Sequence, residues 1–137
     1  MSTRPATPPE TLRLPEQTKE QLTTLKRRTG VKHWNTLCRW GLCRSLAAGG
    51  TPAEPPPGDG VEIAWKVFAG PAGDLWWALL LAGLVRDGQP ADPEAAHTAL
   101  RAHVVRGVSY LVGDPEVADV TSLARLALAA TSHTPTG

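Results

Sequence analysis

Residues 19–47, KEQLTTLKRRTGVKHWNTLCRWGLCRSLA, read as two helices broken by one turn. Upstream, Pro15 suits a first helical turn and Glu16 complements the positive end of the helix dipole. The first helix is predicted to run to about Arg28, with Gly30 as its stop. Thr18, Leu22, Leu25 and Thr29 fall on one narrow stripe at about 100° per residue. The second helix is predicted from His33 to Ala47. Its inner face is Trp34, Leu37, Cys38, Gly41, Leu42 and Ser45, with Trp40, Cys43 and Arg39 on the other side. A helix apolar on nearly every side must be covered on nearly every side, and the short first helix cannot do that alone.

Working outward, Thr11–Leu14 has room for one short extended strand before Pro15. A strand followed by two helices is the order of the ribbon-helix-helix arrangement, a likeness of fold only. Ala48 to Gly60 (AGGTPAEPPPGDG) holds four prolines and four glycines, which excludes a helix and marks an internal loop. Val61–Trp65 (VEIAW) alternates as a short strand does. A turn at Gly70–Gly73 precedes Asp74, a candidate N-cap, and then LWWALLLAGLV (75–85), which has no polar face. Asp92-Pro93-Glu94 opens a helix expected to reach about Leu111, and Gly113-Asp114-Pro115-Glu116 opens a last one ending near Ala130. The fold class expected is mainly α: a compact helical domain over 11–131, with a helix-turn-helix-like (ribbon-helix-helix-like) N-terminal part and at most one or two short strands. Residues 1–10 and 132–137 are expected to be flexible tails, and 48–60 an internal linker.

The 137 residues carry a net charge of +1, which points to no partner. The distribution does. Residues 1–50 are at +6 and residues 51–137 at −5. Such an asymmetry gives one surface that attracts anions, or else two solvated faces of opposite sign. Cations at a helix C-terminus also stabilise its dipole. That explains one or two of the basic residues but not the set Lys19, Lys26, Arg27, Arg28, Lys32, Arg39 and Arg44. Phosphate neutralisation uses clusters of this kind and gives salt-sensitive binding.

Signals for catalysis are missing. There is no phosphate-cradling glycine motif, dinucleotide fingerprint or nucleophile elbow. His97 and His103 are six apart, which turns them about 120° from each other on a helix, unlike a metal pair. Cys38 and Cys43 sit among Trp and Leu and read as buried, reduced thiols. No catalytic residue, metal site or cofactor is expected. MSTRPATPPE lacks an apolar signal core, and the longest apolar run, Leu75–Val85, spans 11 residues where a membrane span needs about 20. The expectation is a cytoplasmic protein with no membrane partner.

At this point the chain resembles a known family. Residues 19–47 look like the signature of the DNA sulfur modification family DndE. VEIAWKVFAG (61–70) and GDLWWALL (73–80) are similar to its second block, and LRAHVVRGVSYLVGD (100–114) to its third. The combination K-R-R-T-G, W-N-x-L-C-R-W and W-K-x-F-A-G is specific. This chain departs from the family in its longer Pro-rich N-terminus, its proline-rich loop at 52–57, and His103-Val104-Val105-Arg106, where the family block is expected to hold a second His.

The resemblance implies a small helical homotetramer that is not an enzyme. It implies binding of DNA, nicked duplex in preference, through surface lysines. Its partners would be a cysteine desulfurase, an adenylating sulfurtransferase and an ATPase that together exchange a non-bridging phosphate oxygen for sulfur. Lys19, Lys26, Arg27, Arg28 and Lys32 are the expected phosphate contacts. Arg39 and Arg44 either join them or pair with acids across a subunit interface. Two other readings stand beside this one: a nickase acting before sulfur insertion, and a scaffold for the sulfur-transfer proteins. Trp34 and Trp40 are expected to be packing anchors rather than base-stacking platforms.

Overall fold

The structure, a computed structural model, describes residues 7–114. Two strands and five α-helices follow one another along this part of the chain. β1 (Thr11–Leu14) pairs antiparallel with β2 (Val61–Ala64), Thr11 opposite Ala64 and Leu14 opposite Val61. Leu12, Leu14 and Ile63 point inward, while Arg13 and Glu62 face each other outside at 3.8 Å. An exposed pair of that kind contributes little. Unlike a ribbon-helix-helix strand, β1 takes its partner from its own chain.

α1 (Glu16–Thr29) buries the predicted stripe Thr18, Leu22, Leu25 and Thr29. Gly30 closes it at φ 74°, a left-handed turn that costs glycine nothing, with its N–H bonded to the Lys26 carbonyl. Thr29 donates to the Leu25 carbonyl at 2.7 Å and accepts from the Val31 N–H at 3.2 Å, which tightens the corner. α2 (Trp34–Ala48) follows within one residue of the predicted ends and buries Leu37, Cys38, Gly41, Leu42 and Ser45.

α5 (Pro93–Gly113) is the central element. Asp92 caps it, accepting from the Ala95 N–H at 3.0 Å. Ala96, Leu100, His103, Val104, Gly107, Val108 and Leu111 are buried along it. α2 lies across α5 with backbone on backbone. A Cβ at Gly107 would overlap the Gly41 carbonyl, and one at Gly41 would sit 3.0 Å from the Val108 amide. Only glycine permits this approach, and it brings Val108, Leu42 and Leu37 into one core.

Several local readings change. The strand expected to reach Trp65 stops at Ala64: the Trp65 N–H makes one more in-register bond, to the Glu10 carbonyl, but Trp65 already begins the helix α3 (Trp65–Ala69). Phe68 and Ala69, three and four residues on, are buried together. Trp65 packs on Phe68 at 5.4 Å and edge-on to Trp77 at 5.7 Å. A 3-10 turn, Gly70–Ala72, runs directly into α4 (Gly73–Arg86), so Asp74 lies inside the first turn and makes no cap.

Residues Trp65–Arg86 are long and apolar enough to cross a membrane by composition. They do not form one helix, however, and Trp77, Leu80, Gly83 and Leu84 of α4 are packed into protein. Residues 7–10, expected in a tail, are tied down: the His97 Nε2–H meets the Thr7 carbonyl at 2.6 Å. The loop after α2 is also fastened. Arg101 Nε donates to the Arg13 carbonyl at 2.8 Å and Nη1 to that of Pro55 at 3.5 Å, and the Gly60 N–H donates to Leu14 at 2.9 Å. The helix expected over 115–130 and the tail at 132–137 lie outside the described residues.

Candidate nucleic-acid interface

Four of the seven basic residues singled out in the sequence meet at the α1–α2 corner. Lys26, Arg27 and Arg28 form the last turn of α1 and are exposed; Lys32 is exposed on the connection two residues past Gly30. The stripe Leu22, Leu25 and Thr29 turns inward, which leaves these side chains on the outer arc. Arg28 also ties the corner to α5. Its Nη1 donates to the Val112 carbonyl at 3.0 Å, satisfying one of the open carbonyls at the end of that helix. The corner is therefore held by α5 as well as by its own turn. Lys19 stands two turns back on α1 and is half-buried. Among the described residues, none of the seven forms an ion pair with a carboxylate.

Arg39 and Arg44 are not part of the corner. Five residues apart on α2, they are turned about 140° from each other. Arg39 is half-buried and donates to the Thr36 hydroxyl at 3.2 Å. Arg44 is exposed, its guanidinium 5.2 Å from the centre of the Tyr110 ring. Arg106 approaches the same ring at 5.5 Å. Arg106 and Tyr110 were not among the expected phosphate contacts, and "HVVRGVSY" offers no pattern that pairs them with Arg44.

Behind Arg44, the α2–α5 crossing contains a buried polar network. Arg106 Nε donates to Ser45 Oγ at 2.8 Å, and its Nη2 to the carbonyls of Ser45 and Gly49 at 2.7 and 3.0 Å. Ser45 Oγ is 2.7 Å from His103 Nδ1. Burial, and then the Arg106 charge, push the His103 imidazole down to about 4, so it is neutral at ordinary pH. Spacing alone did not mark this pair, because its partners are 58 residues apart.

Cys38 is buried, and burial pushes its thiol up to about 12. Cys43, expected to be buried too, is exposed, because it lies on the side of α2 opposite the buried stripe centred on Gly41 and Ser45. Trp34 and Trp40 are half-buried against the core, as packing anchors are. The Trp34 indole N–H is buried and meets no acceptor among the described residues. No group of three His, Cys, Asp or Glu able to hold a metal occurs among the described residues.

A family described as DNA sulphur modification protein DndE matches residues 11–119 of the chain. Among solved structures, the chain is similar to the crystal structure of DndE from Escherichia coli B7A, described as involved in DNA phosphorothioation modification. The identity is 24% and the TM-score 0.60, over 77% of this chain and 99% of that one. No curated protein matches. At that identity the structural likeness speaks for the fold: mainly helical, with a small two-stranded sheet.

Proposed function

This chain belongs to the DndE family of DNA sulphur modification proteins, and from that premise we propose that it is the non-enzymatic DNA-binding subunit of a cytoplasmic phosphorothioation machinery. It binds duplex DNA, nicked duplex in preference, and serves with the sulfur-transfer proteins that exchange a phosphate oxygen for sulfur. The observation that carries this reading is the α1–α2 corner. Lys26, Arg27, Arg28 and Lys32 are exposed together, with no described carboxylate paired to them. Phosphate contacts fix position without reading bases, so binding is nearly indifferent to sequence.

The working form is a homotetramer. Leu75, Leu79 and Val85 are 57%, 41% and 72% exposed along the outer face of α4, and apolar surface of that kind marks an interface. Symmetry then multiplies one modest corner into a broad positive surface.

Lys26→Ala combined with Arg27→Ala tests the reading. Both side chains lie off the buried stripe, so the oligomer stays intact. Binding to every duplex weakens alike, and the slope of log K against log salt falls by about 0.9 for each phosphate the variant no longer neutralises. Unchanged affinity and slope would reduce the corner to a solvated face. Metal-dependent, multiple-turnover nicking of supercoiled plasmid by the purified protein would overturn the non-enzymatic assignment.

A further inference from the structure

At the end of the molecule away from the basic corner, a cavity of about 320 Å³ opens between the loops that follow α2 and α4 and the first half of α5. Ligand pockets start at about that size, which here is room for one ring system. Leu84, Ala99 and Ala102 give it apolar walls, and His103, Asp87 and Glu54 are its ionisable groups.

The chemistry of the cavity follows from the His103 network. Ser45 Oγ accepts from Arg106 Nε at 2.8 Å, so the hydroxyl proton is left with one acceptor, His103 Nδ1 at 2.7 Å. The ring is then the Nε2–H tautomer. His103 is 2% exposed, lines the cavity, and its Nε2–H meets no acceptor among the described residues. Water reaches this N–H only through the cavity, so a ligand acceptor bound there takes the place of a solvent hydrogen bond. Asp87 supplies the complementary acceptor. Arg86 grips its carboxylate at 3.0 and 3.1 Å, which holds it in place and below the usual carboxylate range. Glu54 adds a second negative group at the same cavity, and Arg86 is already engaged with Asp87 and the Leu46 carbonyl at 2.9 Å. Phosphate is therefore disfavoured here, and an uncharged group with an acceptor beside a donor is favoured.

We propose that this cavity receives an unpaired nucleobase, with a ring acceptor on His103 Nε2–H and an exocyclic amine or ring N–H on Asp87. The inference rests on the DNA-binding reading and deepens it. Along α5, His103 is nine residues before Val112, where Arg28 anchors the corner, or roughly 14 Å. That is about four base steps along B-form DNA. A base leaves the stack at least cost where pairing is already broken. The corner and the cavity thus divide the work: one holds backbone, the other holds a base.

The test is a titration of the ¹⁵N-labelled full chain with adenosine, cytidine, guanosine and thymidine, and separately with inorganic phosphate. At least one nucleoside shifts the amides of residues 50, 51, 53, 54, 87–89 and 95–103 at millimolar concentration, and phosphate leaves them in place. Ala99→Leu, which fills the cavity, weakens that nucleoside about tenfold or more at an unchanged melting point. Ala95→Leu does the same from a second wall position, should Ala99→Leu fail to fold. The proposal falls if no nucleoside moves these amides, if phosphate moves them, or if the filling variants bind as wild type does. Fluorescence polarisation with nicked duplex on the same samples reads DNA binding separately. A protein that binds duplex but ignores nucleosides loses only the pocket. One that binds nucleosides but no duplex loses only the DNA-binding reading.

Discussion

The second helix, Trp34–Ala48, and the fourth, Gly73–Arg86, are both apolar around most of their circumference, yet the fold treats them differently. α2 presses its backbone onto α5 through Gly41 and Gly107, and it buries a polar network at the same crossing. α4 buries Trp77, Leu80, Gly83 and Leu84 but leaves Leu75, Leu79 and Val85 exposed. Its own glycine packs in another way. A Cβ at Gly83 would meet the tip of Leu46 at 2.8 Å, a movable side-chain end rather than backbone. Apolarity therefore does not decide which helix becomes the core. Small residues set how close two backbones can come, and closeness sets how much of each helix is covered.

The largest expected effect breaks the comparison on the α2 side. Gly107→Ala places a methyl inside the Gly41 carbonyl, with no side chain able to give way. We expect a loss beyond about 4 kcal/mol, seen as failure to show a cooperative unfolding transition. Gly83→Ala sharpens the contrast, because the Leu46 tip moves and alanine favours the helix. Its unfolding midpoint should stay within about 1 kcal/mol of wild type. Equal effects of the two substitutions would refute the distinction between the crossings.

Next comes the inner face of α4. Trp77 is 6% exposed and packs on Trp65 and His97 at 5.7 and 5.9 Å. Trp77→Ala should cost about 3–5 kcal/mol in chemical denaturation. An unchanged midpoint would show that α4 is peripheral on both faces.

The α2–α5 crossing also carries a pH dependence through its buried imidazole. His103 is neutral in the folded protein down to about 4, whereas in the unfolded chain it takes a proton near its ordinary value of 6.5. Between those values the unfolded state binds more protons, so stability is full above about pH 6.5 and falls as the pH drops toward 4. The loss is on the order of 3 kcal/mol for this group. His103→Gln should flatten that part of the stability–pH curve. If wild type and variant fall in parallel, carboxylates rather than His103 carry the acid sensitivity.

The smallest effect on folding should come from the outer face of α4. Leu75→Ser with Leu79→Ser removes exposed side chains, so monomer stability should shift by no more than about 0.5 kcal/mol per site. Sedimentation should nevertheless show smaller oligomers than wild type. An unaltered assembly would free this face for some other partner.

Much of the fold is legible in the sequence because the signals are local. Pro15 and Glu16, Gly30, and Asp92-Pro93-Glu94 mark helix ends by the chemistry of one turn, and the ends fall where that chemistry puts them. Trp65 misled because alternation over five residues looks the same whether the fifth continues a strand or starts a helix. The last bond of the ladder, from the Trp65 N–H to the Glu10 carbonyl, joins residues 55 apart. Of the basic residues, the four beside Gly30 were found together because a turn is a short-range object. Arg44 found the Tyr110 ring instead, across the gap between two helices, and shares it with Arg106.

By itself the sequence determined α1, α2, α4 and α5, the turn at Gly30 and the concentration of positive charge in the first 50 residues. Each of these depends on neighbours within about one helical turn. Tertiary structure alone decided three things: that α5 rather than the more apolar α4 is the central helix, that Ser45 and His103 share a proton, and that the His103 N–H lies beside a cavity with no acceptor among the described residues. Those outcomes depend on which backbones can touch. In this chain that is governed by a glycine on α2 meeting a glycine on α5, and neither announces its partner along the sequence.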